Sequence, residues 1–205
     1  MNLYFSPLAC SLATRIAFYE ADAKVGYIQV DLKQKKLQDG SDFYAINALG
    51  QVPVLRTGDG SLLTENTAIL PYVAEHFPEA QLAPTDRLQH ARMQQWLGFI
   101  STELHRAVFS PLLDPDASEP VKAYAREQVA LRLDHLQEHF TTHEFLLDRF
   151  SVADAYLFAV LNWTPHCAID LAQWPQVKDY YARQLQRPSI AKALAEELAL
   201  YRAKS

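Results

Sequence analysis

Cys10 is the residue best placed to do chemistry. It lies in Pro7-Leu8-Ala9-Cys10-Ser11, after a short apolar stretch, Leu3-Tyr4-Phe5, and at the start of a run with helical spacing. A sulfur at a helix N-terminus meets free N–H groups and a partial positive charge, which favour an anion, including a thiolate. A thiol with a pKa of about 8.5 is only ~3% ionised at pH 7, and a drop of ~1.5 units makes it about half ionised. The same place could stabilise the thiolate of a bound ligand. The competing reading is a small buried hydrophobe, a common fate for cysteine. Ser11 offers a hydroxyl next door, with plain capping as its alternative.

Two further stretches carry chemistry. Thr64-Glu65-Asn66 opens a helical run. There Glu65 could pair with a ligand ammonium, and the Asn66 amide with a ligand carboxylate at the helix end; capping by Thr64 is the structural alternative. In Leu49-Gly50-Gln51-Val52-Pro53-Val54-Leu55, a proline interrupts an apolar, partly β-branched run. Proline gives a strand ladder no N–H, so the strand should begin at Pro53. Gln51 and Val52 would then present backbone groups to a ligand at a bend that a cis Val52–Pro53 bond would hold. The alternative is a trans proline on an edge strand.

The elements that must position these residues follow from periodicity. Leu3-Tyr4-Phe5 reads as a strand, Leu8 to Ala21 as a helix and Tyr27-Ile28-Gln29-Val30 as a second strand, which is the β-α-β unit of a parallel pair. Residues 33–42 are polar and expected to form an exposed loop, with Lys33, Lys35 and Lys36 as a solvated face. A short helix over 42–46 leads to the Pro53 strand. Thr57-Gly58-Asp59-Gly60 turns the chain into Ser61-Leu62-Leu63, and Glu65 to Phe77 is helical, with Ile69, Leu70, Val73 and Phe77 on one face.

After a linker bracketed by Pro78 and Pro84, strand signals nearly vanish. Leu88 to Val108 has helical spacing, broken by Pro111, Pro115 and Pro120. Val121 to Phe140 is a second long helix, with Val129, Leu133, Leu136 and Phe140 inward. Ser151-Val152-Ala153-Asp154 has capping-box spacing, and the almost wholly apolar Ala155 to Trp163 behind it should be the buried centre of the second domain. A helix from Trp174-Pro175 and a last one to about Arg202 complete the chain. The organisation is therefore α/β followed by all-α. Residues 1–79 form one domain, 80–86 a linker and 87–205 a helical domain.

The totals bound the function. A chain of 205 residues holds one large or two modest domains. No run of eighteen apolar residues suggests a membrane span, and the N-terminus lacks the basic start and long apolar core of a signal peptide, so a cytoplasmic protein is expected. Two cysteines, Cys10 and Cys167, are too few for a disulfide scaffold, and Cys167 is read as structural. A net charge of −5 argues against a nucleic-acid partner.

A thiol at the first helix, a strand-opening proline and an acidic-polar pair at the last helix of a β-α-β, β-β-α module now coincide. An all-α half with a capping-box helix follows. Across essentially the whole chain this resembles the cytosolic glutathione transferases, and within them most closely the bacterial beta class. The residues that carry the resemblance are Ala9-Cys10-Ser11-Leu12-Ala13, Asp31-Leu32, Gly50-Gln51-Val52-Pro53, Leu62-Leu63-Thr64-Glu65, Thr102-Glu103-Leu104-His105 and Ala153-Asp154-Ala155-Tyr156-Leu157-Phe158.

The resemblance implies an N-terminal thioredoxin-like β-α-β-α-β-β-α domain and a C-terminal helical bundle. It also implies glutathione as co-substrate, no metal and a homodimer. It makes Cys10 the active-site cysteine facing the glutathione sulfur, and Val52 the residue whose backbone pairs with the cysteinyl part. Glu65 and Asn66 become the pair at the γ-glutamyl end, and Lys35 the basic residue near the glycyl carboxylate. Thr102, Glu103 and His105 become helical-domain residues bordering the thiol, with His105 sharing a proton with the sulfur or holding it by a hydrogen bond. Two positions depart from the class pattern: Asn66 stands where many relatives carry Ser or a small residue, and Gly98 where an Asn is frequent. Trp96, Phe99, Tyr156 and Trp163 are read first as core, and second as the border of an apolar co-substrate pocket.

Three activities fit. In the first, the glutathione thiolate is conjugated to an electrophilic, largely apolar co-substrate. In the second, Cys10 itself exchanges disulfides with glutathione as a thiol transferase or peroxidase. In the third, the fold is a non-catalytic binding module.

Overall fold

In the computed structural model, which describes residues 1–203, the N-terminal part is a five-stranded mixed sheet with helices against it. Strand β1 (Asn2–Phe5), helix α1 (Leu12–Glu20) and strand β2 (Gly26–Asp31) form the expected crossover, with Leu3 opposite Tyr27 in the parallel pair. Strand β3 is only Lys36–Leu37, antiparallel to β2, and lies inside the segment expected to be a loop. Two residues are too few for periodicity to register. The expected short helix at 42–46 is a single 3₁₀ turn, Phe43–Ala45, capped by the Asp42 carboxylate on Tyr44 N–H.

Strands β4 (Val54–Arg56) and β5 (Leu62–Thr64) make the hairpin, and β4 pairs antiparallel with β1, giving the order β3-β2-β1-β4-β5. The Val52–Pro53 bond is cis. Side chains alternate across β1 and β4. Tyr4 and Val54 therefore join Val30, Phe43 and Val52 in one buried cluster. Helix α2 (Asn66–His76) follows β5 and buries Ile69, Leu70 and Val73.

The remainder is helical. Helix α3 (Arg87–Phe99) runs without a break into a π-helical stretch, Ile100–Phe109, and on into a single turn α4 (Ser110–Leu113). Pro111 was expected to end the helix. It is instead accommodated in the first turn of α4, where the wider register closes with Ser110 N–H on the His105 carbonyl. Helix α5 (Glu119–His139) likewise starts with Pro120 at its head and buries Val129, Leu133 and Leu136.

Helix α6 (Val152–Leu161) is buried along its whole length. Its capping box is formed: Ser151 N–H donates to Asp154 Oδ2 at 2.9 Å, and Ala153 N–H donates to Ser151 Oγ at 3.2 Å. The other Asp154 oxygen accepts from Leu146 N–H and Tyr180 Oη. Burial pushes this carboxyl up to about 6 in spite of those donors. Helices α7 (Pro175–Leu185) and α8 (Pro188–Arg202) close the chain.

By packing, the described residues form two compact units: 1–83 together with 188–203, and 84–187. The last helix therefore groups with the sheet, against α1, and not with the helical region 87–205 to which its periodicity assigned it. Periodicity reports that a helix has an apolar face, not which partner covers it. Residues 204 and 205 of that range lie outside the described residues. Among the described residues no helix is long and apolar enough to cross a membrane.

Candidate functional site

In the first unit, the loop after β1 is folded tightly on itself. Ser11 is fully buried, and its hydroxyl lies 3.3 Å from both the N–H and the carbonyl of Ser6. Ser11 occupies the N-cap position of α1 without capping it through its side chain. It closes the 6–11 loop and offers no hydroxyl to a ligand. Leu8 sits in the left-handed region at φ +61, where a side chain is strained. Its N–H donates to Glu197 Oε2 of α8 at 2.7 Å.

Glu197 is completely buried and faces Arg15, itself 3% exposed, at 3.1 Å. Arg15 also pairs with Glu196 at 3.0 Å and stacks between the rings of Phe5 and Tyr27. Tyr19 Oη donates to the same Glu196 oxygen. Burial pushes the Glu197 carboxyl up to about 7 against the pull of Arg15 and the Leu8 N–H. An ion pair between α1 and α8 thus anchors the backbone two residues before the cysteine.

Cys10 precedes the N-cap, and α1 proper begins at Leu12. Its Sγ donates to the Val52 carbonyl at 3.3 Å. The expected depression of its pKa is not found. Burial, then the Glu65 carboxylate, push the thiol up to about 12, outweighing the nearby backbone N–H groups of Cys10 and Ser11. The pull of the helix end is present here but smaller than the cost of burying the charge beside the Glu65 carboxylate.

Val52 is buried and lies just outside the β4 ladder, so its main-chain groups face the cysteine across the bend before Pro53. Glu65 is exposed and occupies the N-cap position of α2 at φ +67, ψ 125, another strained non-glycine conformation, and makes no side-chain cap. Thr64 ends β5 and caps nothing.

Asn66 is 4% exposed, and both ends of its amide are engaged: Nδ2 donates to the Cys10 carbonyl at 3.0 Å and Oδ1 accepts from Thr14 Oγ1 at 3.0 Å. The expected contact of this amide with a ligand carboxylate is therefore replaced by an internal tie from α2 to the cysteine loop. Asn66 is also the first residue of α2, so its backbone N–H is one of those a helix head leaves without an intrahelical partner. Lys35, at φ +56, donates from Nζ to the Gly50 carbonyl at 2.9 Å. A side chain at Gly50, φ +59, would meet Tyr44 Cε1 at 2.8 Å, so glycine lets this bend close. Cys10, Val52, Glu65 and Asn66 are thus brought together by the sheet's central strands and the heads of two helices, and Lys35 holds the bend before Val52.

In the second unit, Thr102, Glu103 and His105 lie on the π-helical stretch. Thr102 Oγ1 donates back to the Gly98 carbonyl at 3.0 Å. Glu103 is paired with Arg132 of α5 at 2.7 Å, so its charge is committed within the unit. His105 Nδ1 lies 2.8 Å from Tyr156 Oη of α6, and its ring meets the edge of Trp163 at 4.9 Å. Burial, then Arg106, hold His105 down at about 4, so the ring is neutral at physiological pH. Tyr156 and Trp163 are 2% and 7% exposed, as their packing reading expects. Trp96 and Phe99 pack against His135 instead, the first tilted and the second edge-on. Among the described residues no group of three or more His, Cys, Asp or Glu is arranged to hold a metal.

Arg15, Glu197 and Tyr156 are the polar residues whose part in this arrangement the sequence reading missed. A signal existed for each, a charge or hydroxyl set into an otherwise apolar helical face.

Comparison with known proteins is uniform along the chain. The profile of the glutathione S-transferase N-terminal domain matches residues 2–75, and that of the C-terminal domain residues 99–188. Glutathione S-transferase GstA of Escherichia coli O157:H7 is 38% identical over 199 residues, covering 96% of this chain and 98% of the relative. A Sphingomonad glutathione S-transferase, solved in complex with glutathione, is 39% identical with a TM-score of 0.92, over 96% of this chain and 98% of that one. The bacterial beta class glutathione S-transferase of Sphingomonas chungbukensis is 41% identical with a TM-score of 0.92 over the same shares.

Proposed function

From the premise that this chain belongs to the glutathione S-transferase family and is most like its beta class, we propose that it binds glutathione and conjugates its thiolate to electrophilic, largely apolar co-substrates. The observation that carries this reading is the Cys10 thiol aimed at the Val52 carbonyl beside a cis proline, with the head of α2 at hand.

The cysteinyl part of glutathione pairs with the Val52 backbone, as an added strand would. Its sulfur lies at Cys10, and its γ-glutamyl end at Glu65 and the Asn66 N–H, where an ammonium meets a carboxylate and a carboxylate meets a helix head. Lys35 serves the glycyl carboxylate. His105 is the second catalytic residue, with Thr102 and Glu103 as neighbours; their part rests on the family resemblance.

The protonation of Cys10 favours conjugation over disulfide exchange. Burial and the Glu65 carboxylate raise the thiol well above its ordinary value, so Cys10 is held protonated at pH 7 and is a poor nucleophile. A neutral thiol is instead a donor: when the tripeptide binds, the Cys10 S–H turns from the Val52 carbonyl to the ligand thiolate, and that carbonyl is left to accept from the cysteinyl N–H. Most of the acceleration then comes from ionising and orienting the glutathione sulfur. A homodimer in the cytoplasm completes the proposal.

Retention on immobilised glutathione, followed by intact mass with and without reductant, tests it. Conjugation predicts retention and an unmodified chain. A reducible adduct on Cys10 would favour exchange, and no retention would favour a module without turnover.

A further inference from the structure

We propose that Tyr156 is a positioning residue: its hydroxyl donates to His105 Nδ1 and thereby fixes the ring in the tautomer that carries its proton on Nε2. The inference deepens the role given to His105 above and rests on it.

Helix α6 is buried on every side, and between Ala155 and Leu161 the Tyr156 hydroxyl is its one polar side-chain group. A phenol hydroxyl so enclosed needs a hydrogen-bond partner inside the protein. It has one in His105 Nδ1 at 2.8 Å, and the two rings stand edge to face at 85°. Trp163 closes another side of the imidazole at 4.9 Å. The backbone beneath is held as firmly, since Ser110 gives both its N–H and its hydroxyl, the latter at 2.9 Å, to the His105 carbonyl.

In a neutral imidazole one nitrogen donates and the other accepts. The phenol is the stronger donor of the pair and the bare imidazole nitrogen the stronger acceptor, so the bond runs from Oη–H to Nδ1. Nε2 then carries the hydrogen. An Nε2–H is a donor for an anion, whereas the other tautomer would present a lone pair. Under the role given to His105 above, the ring in this state acts as a hydrogen-bond donor and takes no proton.

The test is long-range ¹⁵N–¹H NMR of the histidine rings in the full chain, with His105→Gln assigning the resonance. The expected wild-type pattern is an unprotonated, hydrogen-bonded Nδ1 and a protonated Nε2. Tyr156→Phe should mix the tautomers and lower kcat for conjugation by roughly 3- to 10-fold, about one neutral hydrogen bond, with KM for glutathione nearly unchanged. A protonated Nδ1 in the wild type overturns the proposal without any variant. Unchanged ring shifts or unchanged kcat in Tyr156→Phe overturn it equally. Full activity in His105→Gln would instead sink the role of His105 itself, while the ring shifts still report the tautomer.

Discussion

At Cys10 the position of a residue and its environment pull in opposite directions. The helix that follows favours an anion, and burial with Glu65 nearby opposes one by a wider margin. The account predicts that Cys10 alkylation by iodoacetamide is slow at pH 7 and climbs without a plateau up to pH 10, followed by peptide mass. Cys10→Ala should keep part of the conjugating activity, because the residue is a donor to the sulfur and not the attacking atom. A plateau below pH 8, or complete loss of activity in the variant, would point to Cys10 as nucleophile. The position of this thiol was legible in the sequence; its protonation was not, because desolvation depends on residues distant in the chain. Asn66 teaches the same lesson. Its place at the head of α2 could be read from Thr64-Glu65-Asn66, but its inward turn depends on Thr14 and the Cys10 carbonyl.

Among the elements, α8 is the one whose partner periodicity misplaced. Glu197 brings it to α1 through Arg15 and to the active loop through the Leu8 N–H. A carboxyl raised from 4.5 to about 7 keeps in the native state a proton that the unfolded chain releases. Its contribution is therefore fully present below about pH 4.5 and is lost as pH rises through about 7. Arg15→Leu leaves Glu197 without its main cation. It should cost about 3–5 kcal/mol at pH 8 and clearly less at pH 5, where Glu197 is protonated in both proteins, as read by urea unfolding. An equal loss at both pH values would contradict the pairing. At Gly98, in the last turns of α3, an added Cβ meets open space. Gly98→Ala should therefore raise stability by roughly 0.5–1 kcal/mol in the same assay, and a loss would mean the helix needs that freedom. The capping box of α6 was readable because its code is local, Ser151 to Asp154. Strand β3 and the π-helical register of 100–109 were not, since one is too short for a pattern and the other shares the apolar spacing of an α-helix.

For the whole molecule, the two matched domain profiles and relatives near 40% identity place the chain in the glutathione S-transferase family. The central claim is that this scaffold binds the tripeptide at the Val52 bend. Isothermal titration of glutathione into the purified full chain tests it most directly. The account predicts a saturable heat with one site per chain, weakened when Glu65→Ala removes the carboxylate at the γ-glutamyl end. No heat at millimolar glutathione, or heat that Glu65→Ala leaves untouched, would contradict it.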